Sequence, residues 1–156
     1  MRVTILAVGR QRAGPEAELV ADYLTRFDRT GRALALGPAR VVEIDDRRGG
    51  GPEAEGALIL RALPDAARLI ALDERGRALT SPDFAKALRR EADAGLRDLA
   101  FAIGGADGLS ESVRTRADAL MSFGPMVWPH MLVRAMLAEQ LYRAAAILAG
   151  SPYHRE

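Results

Sequence analysis

The chain predicts an α/β fold, a parallel sheet sandwiched between helices in three layers. Two observations carry this. Short apolar runs of strand length alternate with longer segments of helical period from one end of its 156 residues to the other. Each run is also separated from the next by a helix-length stretch, and such crossovers join parallel strands in a right-handed sense.

The elements follow in order. Val3 to Val8 is an apolar run closed by Gly9, a buried strand. Pro15, with Glu16 and Glu18 behind it, opens a helix, because proline suits the first helical position and acids the first turn. Val20, Tyr23, Leu24 and Phe27 give that helix one apolar face. Val41 to Ile44 is the second strand, after Gly37-Pro38. Asp45 to Pro52 holds Arg47, Arg48 and three consecutive glycines, and reads equally as a mobile connector or a flap that contacts phosphate. A helix through Leu58 to Leu63 ends at Pro64, and Arg68 to Leu72 is the third strand, closed by Asp73-Glu74-Arg75-Gly76. Thr80-Ser81-Pro82-Asp83 starts a helix that runs to Ala94 before Gly95. Leu99 to Ile103 is the fourth strand and leads into Gly104-Gly105. Ser110 caps a helix expected to continue through Leu120, and Met121-Ser122-Phe123 is a very short fifth strand. The last helix spans Met131 to Leu148. The length and the lack of an internal repeat or linker predict one domain over residues 1–156.

Composition narrows the function. The chain has no cysteine, which excludes disulfides, thiolate catalysis and cysteine-based zinc sites. No metal is expected. No apolar run reaches the roughly 18 residues of a membrane span, and the first residues enter a strand at once, so a cytoplasmic protein without a membrane partner is expected. A net charge of +1 does not point to nucleic acid. Lys86 is the only lysine; a preference for arginine suits phosphate contacts, but a coding bias that also enriches alanine and glycine accounts for it as well.

In open parallel sheets ligands sit beyond the carboxyl ends of the strands. Three of those ends carry loop signatures: Leu72-Asp73, Ile103-Gly104-Gly105, and Phe123 to Pro129. Glycines admit a ligand close to the backbone, and a proline-bounded apolar loop offers a flat wall for a purine. A side chain added at Gly105 is expected to intrude where backbone meets ligand. Neither G-x-G-x-x-G nor a P-loop follows the first strand, which disfavours a dehydrogenase or an NTPase.

The last helix is apolar almost all round, more than one small domain is expected to cover, which predicts a homodimer. Arg134 lies on its apolar stripe, and three readings stay open: a snorkelling side chain, a subunit interface or an active site. Glu139 and Arg143 form an i, i+4 pair on a polar edge. His130 beside Pro129 is either a capped structural residue or a site residue, and Met131 and Met136 read as core filler. The tail Tyr153-His154-Arg155-Glu156 is either a frayed end or a grip for RNA, with a ring to stack on a base and a guanidinium for phosphate. It is expected to add little burial.

These residues taken together resemble a known family. Ala7-Val8-Gly9, Tyr23-Leu24-x-Arg26-Phe27, Leu72-Asp73, Ile103-Gly104-Gly105-x-x-Gly108, Pro129-His130-x-Leu132-x-Arg134, Glu139-Gln140-Leu141-Tyr142-Arg143-Ala144 and the terminal Tyr153-His154-Arg155-Glu156 are similar to the RlmH family across nearly the whole chain. The resemblance implies a SPOUT fold with a C-terminal trefoil knot, an obligate homodimer and S-adenosyl-L-methionine as methyl donor. It implies methylation at N3 of pseudouridine 1915 of 23S ribosomal RNA within the assembled ribosome. By matching motifs the cofactor pocket would be Leu72, Gly105 and the loop Gly124, Pro125, Met126, Val127, Trp128 and Pro129. Gly124 and Val127 stand where members often carry a small polar residue and threonine, and Trp128 where they carry a smaller apolar one. His154, Arg155 and Tyr153 are the catalytic candidates, with the first and last of these for positioning a base and Arg155 for the RNA. Arg134, Arg143 and His130 are the candidates for RNA binding. The competing class is a dimeric, ribosome-associated RNA-binding protein without catalysis.

Overall fold

The computed structural model describes residues 1–45 and 49–154. Its main elements are β1 (Arg2–Val8), α1 (Pro15–Gly31), β2 (Ala39–Ile44), α2 (Gly51–Ala62), β3 (Arg68–Ala78), α3 (Ser81–Asp93), β4 (Asp98–Ile103), α4 (Glu111–Arg116), β5 (Ala119–Ser122) and α5 (His130–Leu148). The five strands form one sheet in the order β2-β1-β4-β3-β5, and every neighbouring pair is parallel. Among the described residues no helix is long and apolar enough to cross a membrane.

Strand alternation sorts the core into two layers. Val3, Ile5 and Ala7 of β1 and Leu99, Phe101 and Ile103 of β4 face α1, α3 and α5, where they meet Val20, Phe27, Phe84, Leu88 and Leu141. Leu6, Val8, Ala100 and Ala102 face the other way, against Ile59 of α2 and Val113 of α4. The expected three-layer arrangement is therefore present. Hydroxyl caps stand where the sequence placed them: Thr80 Oγ1 accepts from the Asp83 N–H at 3.2 Å, and Ser110 Oγ from the Val113 N–H at 3.3 Å.

Two boundaries differ from expectation. The helix expected to reach Leu120 stops at Arg116, and β5 begins at Ala119 instead of Met121. The cause is Asp118. Its N–H donates to Leu69 O at 2.8 Å and its Oδ2 accepts the Leu69 N–H at 2.7 Å, which ties this stretch to the edge of β3.

The third strand, expected to close at Leu72, continues to Ala78. Met121 stands opposite both Leu72 and Arg77, so residues 73–76 bulge out of the ladder, which resumes at Arg77 and Ala78. Gly76 permits the bulge to lie close to β5: a Cβ there would lie 2.5 Å from the Met121 backbone N and C.

The apolar girth of α5 is largely covered by its own chain. Ala135, Leu137, Ala138, Leu141, Ala144 and Ala145 are buried in the layer shared with α1 and α3. The expectation that this helix as a whole needs a second copy is thus corrected. What stays half-buried is Met131, Leu132, Val133 and Met136 in its first half and Tyr142, Ile147 and Leu148 in its second.

Candidate functional site

A cavity of about 340 Å³ opens at the carboxyl ends of β3, β4 and β5. That volume fits one small ligand. Leu72, Gly105, Gly124, Met126, Val127 and Trp128, all expected at a pocket, line it; the expected Pro125 and Pro129 do not. Leu72, Ile103, Met121 and Phe123 make an apolar wall, while Met126 and Val127 are 68% and 91% exposed and form a rim. His130 and Val133, from the first turn of α5, close one side. The structure therefore places the half-buried His130 in the cavity wall.

The glycine turn after β4 is built by an isolated bridge between Gly105 and Gly108, with the Gly108 N–H donating to Gly105 O at 3.2 Å. A Cβ at Gly104 would lie 2.5 Å from the carbonyl carbon and oxygen of Gly108, so only glycine fits there. A Cβ at Gly105 would instead head for Val8 Cγ1 and Glu55 Oε2, each 3.1 Å away and neither of them lining the cavity. Of the two glycines, Gly104 is the one with no room at all for a Cβ.

One corner of the cavity is charged. Asp73 has a side chain only 8% exposed, and its Oδ1 accepts the Arg75 N–H at 2.9 Å. Its Oδ2 lies 3.8 Å from Arg114 Nη1 and 3.9 Å from Arg75 Nη1. Arg114 also donates through Nη1 to Leu109 O. Nothing in the sequence singled out Arg114, one of two arginines on a six-residue helix. Only the fold brings it to Asp73.

Arg134, a candidate for RNA contact, is fully buried. Its Nη2 donates to the carbonyls of Val8 and Gly9, the latter at 2.8 Å. It closes the end of β1 from inside the core and offers RNA no surface, so that expectation is corrected. A buried guanidinium is tolerated because these main-chain oxygens would otherwise lack donors.

The tail is docked. Tyr153 Oη donates to Glu139 Oε1 at 3.0 Å, and its ring lies 4.6 Å from that of Tyr142. Arg143 stacks on the Tyr153 ring at 4.8 Å and donates to Glu139 Oε1 through Nε at 2.9 Å and Nη2 at 2.6 Å. Burial, reinforced by hydrogen bonds to Tyr23 and Glu139, raises the pKa of the Tyr153 phenol, so it keeps its proton at neutral pH. Arg143 Nη1 lies 3.4 Å from His154 Nδ1. A guanidinium only donates, so Nδ1 accepts and Nε2 carries the imidazole proton. The reading of a tail with little burial is corrected for Tyr153, which is half-buried. Arg155 and Glu156 lie outside the described residues, as do Asp46, Arg47 and Arg48 of the glycine-rich loop.

Glu139 and Arg143 stand nine and thirteen residues after His130, which is roughly 14 and 20 Å along the helix. The docked tail is therefore set apart from the cavity of its own chain. Between them, Leu19, Tyr23, Phe123, Leu132, Ala135 and Met136 line a shallow apolar groove of about 260 Å³ on α1 and α5.

Residues 1–154 match the family model described as "Predicted SPOUT methyltransferase". The chain is 66% identical over 155 residues to the ribosomal RNA large subunit methyltransferase H of Ruegeria pomeroyi, covering 99% of both. It is 64% identical over 155 residues to the proteins of the same name from Dinoroseobacter shibae and Roseobacter denitrificans, again covering 99% of each chain.

Proposed function

Because the chain belongs to the SPOUT methyltransferase family, and within it to the ribosomal RNA large subunit methyltransferases H, we propose that it methylates N3 of a pseudouridine in 23S ribosomal RNA. S-adenosylmethionine is the donor, the assembled ribosome in the cytoplasm is the substrate, and the active form is a homodimer. The observation that carries this reading is similarity over the whole length, together with a ligand-sized cavity at the strand ends where such a fold binds its ligand. The C-terminal trefoil knot comes with the family reading.

The residues present fit the cofactor. The wall of Leu72, Ile103 and Met121 suits an adenine ring, main-chain groups at Gly104 to Gly108 suit its edge, and the Asp73 corner suits a charged end. Bound there, S-adenosylmethionine supplies a sulfonium methyl that is already strongly electrophilic, so the chain's share is alignment and help with loss of the N3 proton. Tyr153 keeps its proton, so it serves as a positioning group and not as a base. His154 presents Nε2–H as a donor for a base carbonyl beside N3, which favours that nitrogen without its proton. Arg155, next along the tail, pairs with RNA phosphate. The separation between a docked tail and its own cavity supports service in trans, each tail completing the site of the partner across the α1–α5 groove.

Transfer of labelled methyl from S-adenosylmethionine to intact ribosomes tests the proposal. Incorporation at a single pseudouridine is expected. Cofactor binding with no incorporation would favour the non-catalytic RNA-binding module.

A further inference from the structure

We propose that Asp73 and Arg114 form a split ion pair that reads the amino-acid end of S-adenosylmethionine, with its ammonium at Asp73 and its carboxylate at Arg114. This rests on the cofactor reading above and adds two side chains to a pocket otherwise described by apolar groups and backbone.

Asp73 is more than nine-tenths buried, yet its Oδ2 has two guanidinium nitrogens near it at 3.8 and 3.9 Å and is hydrogen-bonded to neither. Opposite charges in contact ordinarily close to roughly 2.7–2.9 Å. Arg114 is held back by its hydrogen bond to Leu109 O, while Arg75 is 60% exposed and turned to solvent. On the cavity lining, a carboxylate whose charged neighbours stand off at these distances leaves room for a donor that arrives with the ligand.

The chemistry of that ligand follows from the pair. An α-amino acid carries an ammonium and a carboxylate on one carbon, so a single group meets both charges at once. A ribose diol would satisfy only Asp73. A phosphate would meet Arg114 but be repelled by Asp73, and by Glu74 and Asp107 on the same lining. The corner therefore selects a zwitterion and rejects nucleotides that offer the same adenine.

The test is calorimetry with S-adenosylhomocysteine, which has the amino-acid end, and 5′-methylthioadenosine, which lacks it. The parent protein is expected to prefer the former at least tenfold. Asp73→Asn keeps an Oδ1 acceptor for the Arg75 N–H and so preserves the turn. That variant and Arg114→Gln are each expected to weaken S-adenosylhomocysteine by about ten- to a hundredfold and to leave 5′-methylthioadenosine within about twofold. Arg114→Lys should recover part of the loss. Equal losses for the two ligands would overturn the assignment, since the pair would then hold the nucleoside or the pocket's shape; so would no loss for either. If a variant fails to fold, as its melting without ligand reveals, the parent's own preference still decides: equal affinities sink the idea. A parent that binds neither ligand would instead refute the cofactor reading, and this assignment with it.

Discussion

Tyr153 Oη lies 3.0 Å from Glu139 Oε1, fourteen residues back along the chain. The tail thus doubles back on the last helix, and one carboxylate oxygen receives both the phenol and the Arg143 guanidinium. Function at the tail cannot be separated from this packing: whatever holds Tyr153 also sets where His154 points.

Removing residues 153–156 is expected to lower the unfolding free energy by about 2 kcal/mol, and Tyr153→Phe by about 1 kcal/mol, through the lost ring contact and hydrogen bond. Thermal melts of the two variants check this, with a drop of a few degrees expected for the smaller change. The phenol adds a pH signature. Its folded pKa is raised above the ordinary 10.0, so in alkali the unfolded chain gives up this proton first. The contribution is whole below about pH 10 and is lost as pH climbs toward the raised folded value. Tyr153→Phe should remove that part of the alkaline slope.

Gly104→Ala is expected to cost cofactor affinity at least tenfold, because a methyl would strike the Gly108 backbone and open the turn. Gly105→Ala, aimed at Val8 and Glu55, should stay within about threefold once those side chains yield. Calorimetry with S-adenosylhomocysteine compares them, and the reverse order would show that the turn is not what shapes the cavity.

Arg134→Met is expected to destabilise the protein by about 3 kcal/mol in urea unfolding, since two main-chain oxygens would lose their buried donor. Cofactor affinity should fall as well, because His130 and Val133 of the same turn line the cavity. A variant of unchanged stability that lost only RNA affinity would restore the original expectation for this residue.

Met136→Lys, in the groove on α1 and α5, is expected to yield a folded monomer that still binds cofactor but no longer methylates ribosomes. Sedimentation at micromolar concentration reads the first point and methyl incorporation the second. A dimer that persisted through this change would place the interface elsewhere.

Most of the architecture was legible because it is written locally. The apolar runs of β1 and β4, Pro15 at the start of α1, and the hydroxyls of Thr80 and Ser110 each act within a few residues. The strand-end cavity was legible for a similar reason, since Leu72, Gly105 and the loop from Gly124 carry loop chemistry in the sequence itself. What stayed hidden depends on contacts between distant residues. Asp118 ends a helix by pairing with Leu69, forty-nine positions away. Arg114 gains meaning only when the crossover brings α4 beside Asp73, and Arg134 only when the last helix reaches β1. Tyr153 looked like a loose end because nothing in its immediate neighbours predicts the ring of Tyr142.

The buried arginine also sets a timetable. A ribosome delivers Gly9 125 residues ahead of the side chain that secures its carbonyl. Until α5 clears the exit tunnel, the end of a central strand is left to water and the cavity lacks the side formed by His130 and Val133. The cavity is thus assembled last, by the helix that is made last, although most of its floor comes from strands laid down far earlier.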